Sequence, residues 1–126
     1  MISIWAVLAA ATSTFLLGGA WYGLLNGVWL RHSGVTDDQL KRGNVQVFVG
    51  AFLLALVMAA SLAAFIGEES TVSGLSAGLA AGVTWVAAAF GVNYLYERRS
   101  VVLFALNAGY NVIAFTIMGT IIGAIQ

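Results

Sequence analysis

Apolar residues run almost unbroken through four stretches of the chain, and the polar positions gather between them. The stretches free of charge are Met1–Leu30, Gly43–Gly67, Ser70–Tyr96 and Ser100–Gln126. A helix needs roughly 20 apolar residues to cross a hydrocarbon core of about 30 Å, and each stretch is long enough. Inside lipid only helices and closed barrels satisfy every backbone group. Barrel strands would alternate apolar and polar residues, and these stretches do not. The pattern predicts an all-α integral membrane protein, a four-helix transmembrane bundle. It forms a single transmembrane domain over 1–126, with spans near 4–22, 47–66, 72–94 and 101–124.

Between spans 1 and 2 the pattern changes. Leu24, Leu25, Val28 and Trp29 recur at helical spacing, with Arg31 and His32 beyond them. A short helical segment at the membrane interface is expected there. Thr36 followed by Asp37, Asp38 and Gln39 reads as a capping box, so a short cytoplasmic helix should begin there and end near Gly43 and Asn44. Trp21, Tyr22 and Trp29 suit interface anchors, because their rings have an apolar body and a polar edge. The first stretch lacks a basic leader and is too long for the apolar part of a signal peptide, so it reads as a retained span.

Charge sets the orientation. Arg31, Lys41 and Arg42 lie between spans 1 and 2, and Arg98 and Arg99 between spans 3 and 4. The connection between spans 2 and 3 holds only Glu68 and Glu69. The excess of Lys and Arg in cytoplasmic loops then places both termini outside. Only 8% of the residues are charged and 61% are hydrophobic, against about 25% charged in soluble domains. The formal net charge is zero, which offers no basic surface for nucleic acid. Cysteine and proline are both absent. That removes disulfides, thiolate metal sites and a cysteine nucleophile.

Glycines repeat every four residues in three ladders: Gly19, Gly23 and Gly27; Gly74, Gly78 and Gly82; Gly119 and Gly123. Each ladder lies on one helix face, where missing side chains let backbones approach. Packing inside the bundle is the simpler use. Self-association is the alternative, with span 3 the best candidate because Ala77, Ala80 and Ala81 flank its ladder. A homo-oligomer in the lipid bilayer is therefore expected.

The densest polar group surrounds the third connection. Asn93, Tyr94 and Glu97 close span 3, while Asn107, Tyr110 and Asn111 share a face of span 4. Polar side chains in an apolar phase need partners. The group is therefore either interhelical glue or the lining of a polar pocket or solute path. Glu97 beside Arg98 and Arg99 would form an interfacial ion pair able to position a headgroup phosphate. His32 is the only histidine, and one histidine cannot build a zinc site. No metal or cofactor is expected.

No span centre carries an ionisable residue, whereas coupled carriers usually keep one. The small multidrug carriers share this size but need a membrane-embedded acidic residue. No phosphate loop, nucleophile elbow or zinc-helix motif occurs, so an enzyme is not expected. Two readings of function stand. One is an oligomer with a polar pocket or solute path for an unknown substrate. The other is a structural or accessory subunit of a larger membrane complex.

Several short motifs fall in one order. Gly19-Ala20-Trp21-Tyr22 ends span 1, and Leu40-Lys41-Arg42-Gly43-Asn44 precedes span 2. Asn93-Tyr94-Leu95-Tyr96-Glu97-Arg98-Arg99 closes span 3, and Asn107-Ala108-Gly109-Tyr110 sits in span 4. Together they resemble the bacterial domain-of-unknown-function family numbered 1761, over nearly the whole chain. Relatives often carry Ser-Pro after the Trp-Tyr pair, where this chain has Gly23. The resemblance implies a small four-span inner-membrane protein in which Trp21, Tyr22, Asn93, Tyr94, Glu97, Asn107 and Tyr110 act as one unit. It implies no activity, substrate or catalytic residue.

Overall fold

The computed structural model describes residues 2–41 and 44–126. Four helices are long and apolar enough to cross a membrane: Ile4–Leu24, Asn44–Ile66, Thr71–Glu97 and Val101–Ile125. The first, α1 (Ile4–Leu24), starts where Ser3 Oγ accepts the Ala6 N–H at 3.2 Å, a hydroxyl cap that satisfies one of the free donors of a first turn. It runs two residues beyond the expected Tyr22. Leu25 then leaves helical geometry, and α2 (Asn26–Ser33) continues to Gly34, whose φ of 79° ends it. A left-handed residue at that position is the usual role of glycine.

The helix α3 (Asp37–Leu40) opens with both halves of a capping box. Thr36 Oγ1 accepts the Gln39 N–H at 3.2 Å, and Gln39 Oε1 accepts the Thr36 N–H at 2.8 Å. The segment was expected to end near Gly43 and Asn44; α3 ends at Leu40, Asn44 already opens the next span, and Arg42 and Gly43 lie outside the described residues. The second span is α4 (Asn44–Ile66). The third is continuous but not uniform. It comprises α5 (Thr71–Ala81), a π-helical segment (Gly82–Ala87) and α6 (Ala88–Glu97). The last span is α7 (Val101–Ile125), capped by Ser100 Oγ at the Val102 and Leu103 N–H groups.

Helix α7 touches every other long helix. Its contact with α5 is the closest. A Cβ added at Gly74 or Gly78 would collide with the carbonyl oxygens of Gly119 and Phe115, and one at Gly119 with the carbonyl of Gly74. A Cβ at Gly123 would lie 2.6 Å from the Ser70 carbonyl oxygen. Removing side chains on both faces lets the backbones meet, in the arrangement that favours Cα–H···O contacts. The span 3 ladder is therefore consumed inside the chain. Of the two uses expected of it this is the simpler, and α7 occupies the face named as a candidate for self-association.

On the other side α1 packs against α4 and α7 through small residues. Ala6, Ala10 and Ala11 are buried with Ala55, Ala59 and Ala63, while Met118 and Ile122 of α7 fill the centre. Gln126 joins three elements at one end. Its Oε1 accepts the Ser3 N–H at 2.9 Å, and its Nε2 donates to the carbonyls of Ala63 at 3.1 Å and Gly67 at 2.7 Å.

The outer surface is apolar. Phe48, Leu53, Leu54, Val57 and Phe65 of α4 are exposed, as are Leu16 and Leu24 of α1. So broad an apolar surface is untenable in water but natural against lipid tails. The chain is an all-α bundle that fits an integral membrane location.

Candidate functional site

The polar cluster is built where α1, α6 and α7 converge. Asn107, on α7, is its hub. The Tyr22 hydroxyl of α1 donates to Asn107 Oδ1 at 2.6 Å, and Asn107 Nδ2 donates to the Tyr94 hydroxyl of α6 at 2.6 Å. One amide thus links three helices. One turn further along, the Tyr110 hydroxyl donates to the Thr14 carbonyl of α1 at 2.9 Å. The rings of Tyr22 and Tyr110 pack with centroids 5.3 Å apart. Trp21 Nε1 donates to the Leu106 carbonyl at 3.1 Å, and its ring reaches the space beside Gly109. A side chain at Gly18 would crowd the Tyr110 hydroxyl, 3.2 Å from a Cβ placed there.

Each of these bonds has a local cause. Trp21 and Tyr22 are adjacent on α1, half-buried and turned toward α7. Asn107, Tyr110 and Asn111 stand at i, i+3 and i+4 on α7, so they share a face. Asn111 Nδ2 donates to the Asn107 carbonyl at 2.8 Å, within its own helix. The lipid phase makes every unmade bond costly, which selects donors and acceptors that match.

Not every candidate from the sequence joins this network. Trp21 and Tyr22 face α7, where their polar edges find partners. Trp29 stays at the edge of the cluster, its ring 6.1 Å from that of Tyr22. Asn93 is exposed on α6 and lies outside the network, while Glu97 is exposed and reaches Arg99 at 3.7 Å. Gly19, Gly23 and Gly27 have nothing within 4 Å of an added Cβ, so their ladder packs against no helix of this chain.

Other residues carry contacts that the sequence did not single out. His32 Nδ1 is 2.8 Å from Ser100 Oγ, joining the end of α2 to the α6–α7 turn. Arg99 donates to the Ser33 carbonyl at 3.0 Å and lies over the Tyr94 ring, 5.2 Å from its centroid. Thr14 is buried, and its Oγ1 is the one buried side-chain polar atom without a partner among the described residues. Ser13, one residue earlier, donates to the Ala10 carbonyl at 2.6 Å.

Two cavities flank the bundle. A cleft of about 410 Å³ opens between α4 and the α5–π segment, lined by Val57, Leu62, Phe65, Ala81, Trp85 and Phe115 among others. A smaller one, of about 220 Å³, lies between α6 and α7 and is lined by Gly91, Tyr94, Leu95, Arg99, Ser100, Val101 and Phe104. Of the Asn/Tyr cluster only Tyr94 reaches either cavity. Among the described residues no three His, Asp or Glu side chains gather where a metal could bind.

The family described as "Protein of unknown function (DUF1761)" matches residues 5–123, and the chain belongs to it. No curated protein and no solved structure matches the chain.

Proposed function

We propose that this DUF1761 protein is a structural or accessory membrane subunit, and that its Asn/Tyr cluster fastens helices rather than passing a solute. The observation that carries this reading is the use of the Asn107 amide. Its oxygen accepts from Tyr22 and its nitrogen donates to Tyr94, so both ends of the amide are engaged between helices. The two cavities described above lie beside the cluster, and only Tyr94 reaches one of them. Interhelical side-chain hydrogen bonds of this kind hold membrane helices together. Neither catalysis nor transport is needed to account for the cluster, and the apolar outer faces remain free for lipid or for helices of a larger complex. In this reading the basic turns face the cytoplasm of a bacterial inner membrane.

The test is reconstitution of the full chain in sealed liposomes, with release of ions and of a small uncharged dye followed against protein-free liposomes. The proposal expects no added release from the wild type. Release that Asn107→Leu abolishes while the helices stay folded would overturn it, and would restore the solute path.

The oligomeric pocket keeps one specific observation. Asn93 is an exposed amide on a helix that reads as membrane-spanning, and a second copy could supply its partner. The particle mass in mild detergent decides this: a multiple of the chain mass supports the oligomer.

A further inference from the structure

The small cavity beside the α6–α7 turn has the two halves of an amphiphile site. Its walls are apolar. Gly91, Tyr94 and Leu95 stand at i, i+3 and i+4 on α6, and Val101 and Phe104 face them from α7. Gly91 makes the room: a Cβ there would already be 3.3 Å from the Phe104 ring. The mouth is cationic. Arg99 lines it, with its side chain 34% exposed. The guanidinium is held in place from three directions, by the Ser33 carbonyl at 3.0 Å, the Tyr94 ring and Glu97.

Glu97 does not cancel that charge. Its contact is long, at 3.7 Å, and its own side chain is more than half exposed, and exposed pairs of this kind are weak. Arg98 adds a second positive charge to the same turn and donates to the Tyr96 carbonyl at 2.7 Å, but it does not line the cavity. Arg98 is also the one non-glycine residue with positive φ, 55°, among the described residues. That backbone is unfavourable for an arginine, so the tight turn that sets Arg99 over the cavity is held at a cost.

We propose that this cavity binds one anionic phospholipid, with an acyl chain between Gly91, Leu95, Val101 and Phe104 and the phosphate at Arg99. Charge complementarity and an apolar groove open to the bilayer select an anion that carries a hydrocarbon tail, rather than a free anion. The site stands whether or not the Asn/Tyr cluster passes a solute, because Gly91, Leu95, Arg99, Val101 and Phe104 take no part in that network.

The experiment is native mass spectrometry of the full chain in detergent, titrated with phosphatidylglycerol or with phosphatidylcholine of the same tails. One bound phosphatidylglycerol should survive, preferred over phosphatidylcholine by about fivefold, the worth of one arginine near a lipid surface. Arg99→Gln should abolish the preference, and Arg98→Gln should leave it. Gly91→Leu should lower binding of both lipids by filling the groove. Val101→Trp does the same from a residue that is 81% exposed, and so tests the groove even if Gly91→Leu does not fold. Equal losses in Arg98→Gln and Arg99→Gln would overturn the site in favour of diffuse surface attraction. Unchanged binding in the folded groove variants would overturn the acyl seat. Displacement of the lipid by inorganic phosphate would show that a free anion is the ligand.

Discussion

Substituting one glycine in each of two ladders should give opposite results, although the sequence treats the ladders alike. At Gly119 an added Cβ would overlap the Gly74 carbonyl oxygen and lie 3.0 Å from both the Gly74 carbonyl carbon and the Gly78 Cα. Carbon atoms prefer about 3.5–4.0 Å, so these contacts alone require α5 and α7 to part by roughly 0.5–1 Å, and the overlap with the carbonyl oxygen requires more. A gap of that size forfeits about a quarter to a half of each contact's attraction. The colliding atoms are backbone, so no rotamer change can absorb the strain. Overpacking costs about 1–3 kcal/mol, and the upper end is expected for Gly119→Ala. A loss of about 3 kcal/mol raises the unfolded fraction roughly a hundredfold. At Gly23 nothing lies within 4 Å, and alanine is the better helix former. Gly23→Ala should be neutral or slightly stabilising. The assay is unfolding in mixed micelles by titration with a denaturing detergent, read by the fluorescence of the four tryptophans. Equal effects at the two positions would refute the reasoning. So would a stable Gly119→Ala protein, because it would mean that α5 and α7 do not meet backbone to backbone.

Asn107→Leu removes two interhelical hydrogen bonds. At about 0.6 kcal/mol each, and up to about 1.7, the loss should be roughly 1–3 kcal/mol in the same titration, and Tyr22→Phe should lose about half as much. Thr14→Val replaces a buried hydroxyl without a partner by a methyl of similar shape. It should be neutral or stabilising by about 1 kcal/mol, and a destabilised variant would reveal an unseen partner for Oγ1. Gln126→Ala frees the Ser3 N–H and the carbonyls of Ala63 and Gly67. Hydrogen exchange should quicken at the start of α1, with the middle of α7 unchanged.

The four spans could be read from hydropathy because lipid permits only one kind of crossing for such a sequence. The capping box at Thr36 and Gln39 was local chemistry, and so it too was readable. Which face a helix buries was harder. In water an amphipathic stripe marks the buried side, but α1 is apolar on every side, and lipid imposes no such stripe. Gly19, Gly23 and Gly27 therefore looked as well placed for packing as Gly74, Gly78 and Gly82. The side of α1 from which Trp21 and Tyr22 reach α7 had no signal of its own either. The members Asn107, Tyr94 and Tyr110 were found because polar residues in an apolar stretch are conspicuous. Asn93 looked equivalent to them, and only the rotation of α6 shows that it points elsewhere. Gln126 had no local signal, since its partners come together only once α1 and α4 dock. The π segment at Gly82–Ala87 was equally silent, as no proline or charge marks it.

The central claim is that Asn107 sits in a closed clamp. The direct measurement is deuterium exchange of its side-chain amide, followed by NMR of the full chain in lipid nanodiscs. Gln39, exposed on the short α3 outside the four spans, supplies the freely solvated reference. The account predicts that the Asn107 amide exchanges far more slowly than that of Gln39. Exchange at the same rate would contradict it, because water would then reach the hub and the cluster would be a hydrated path.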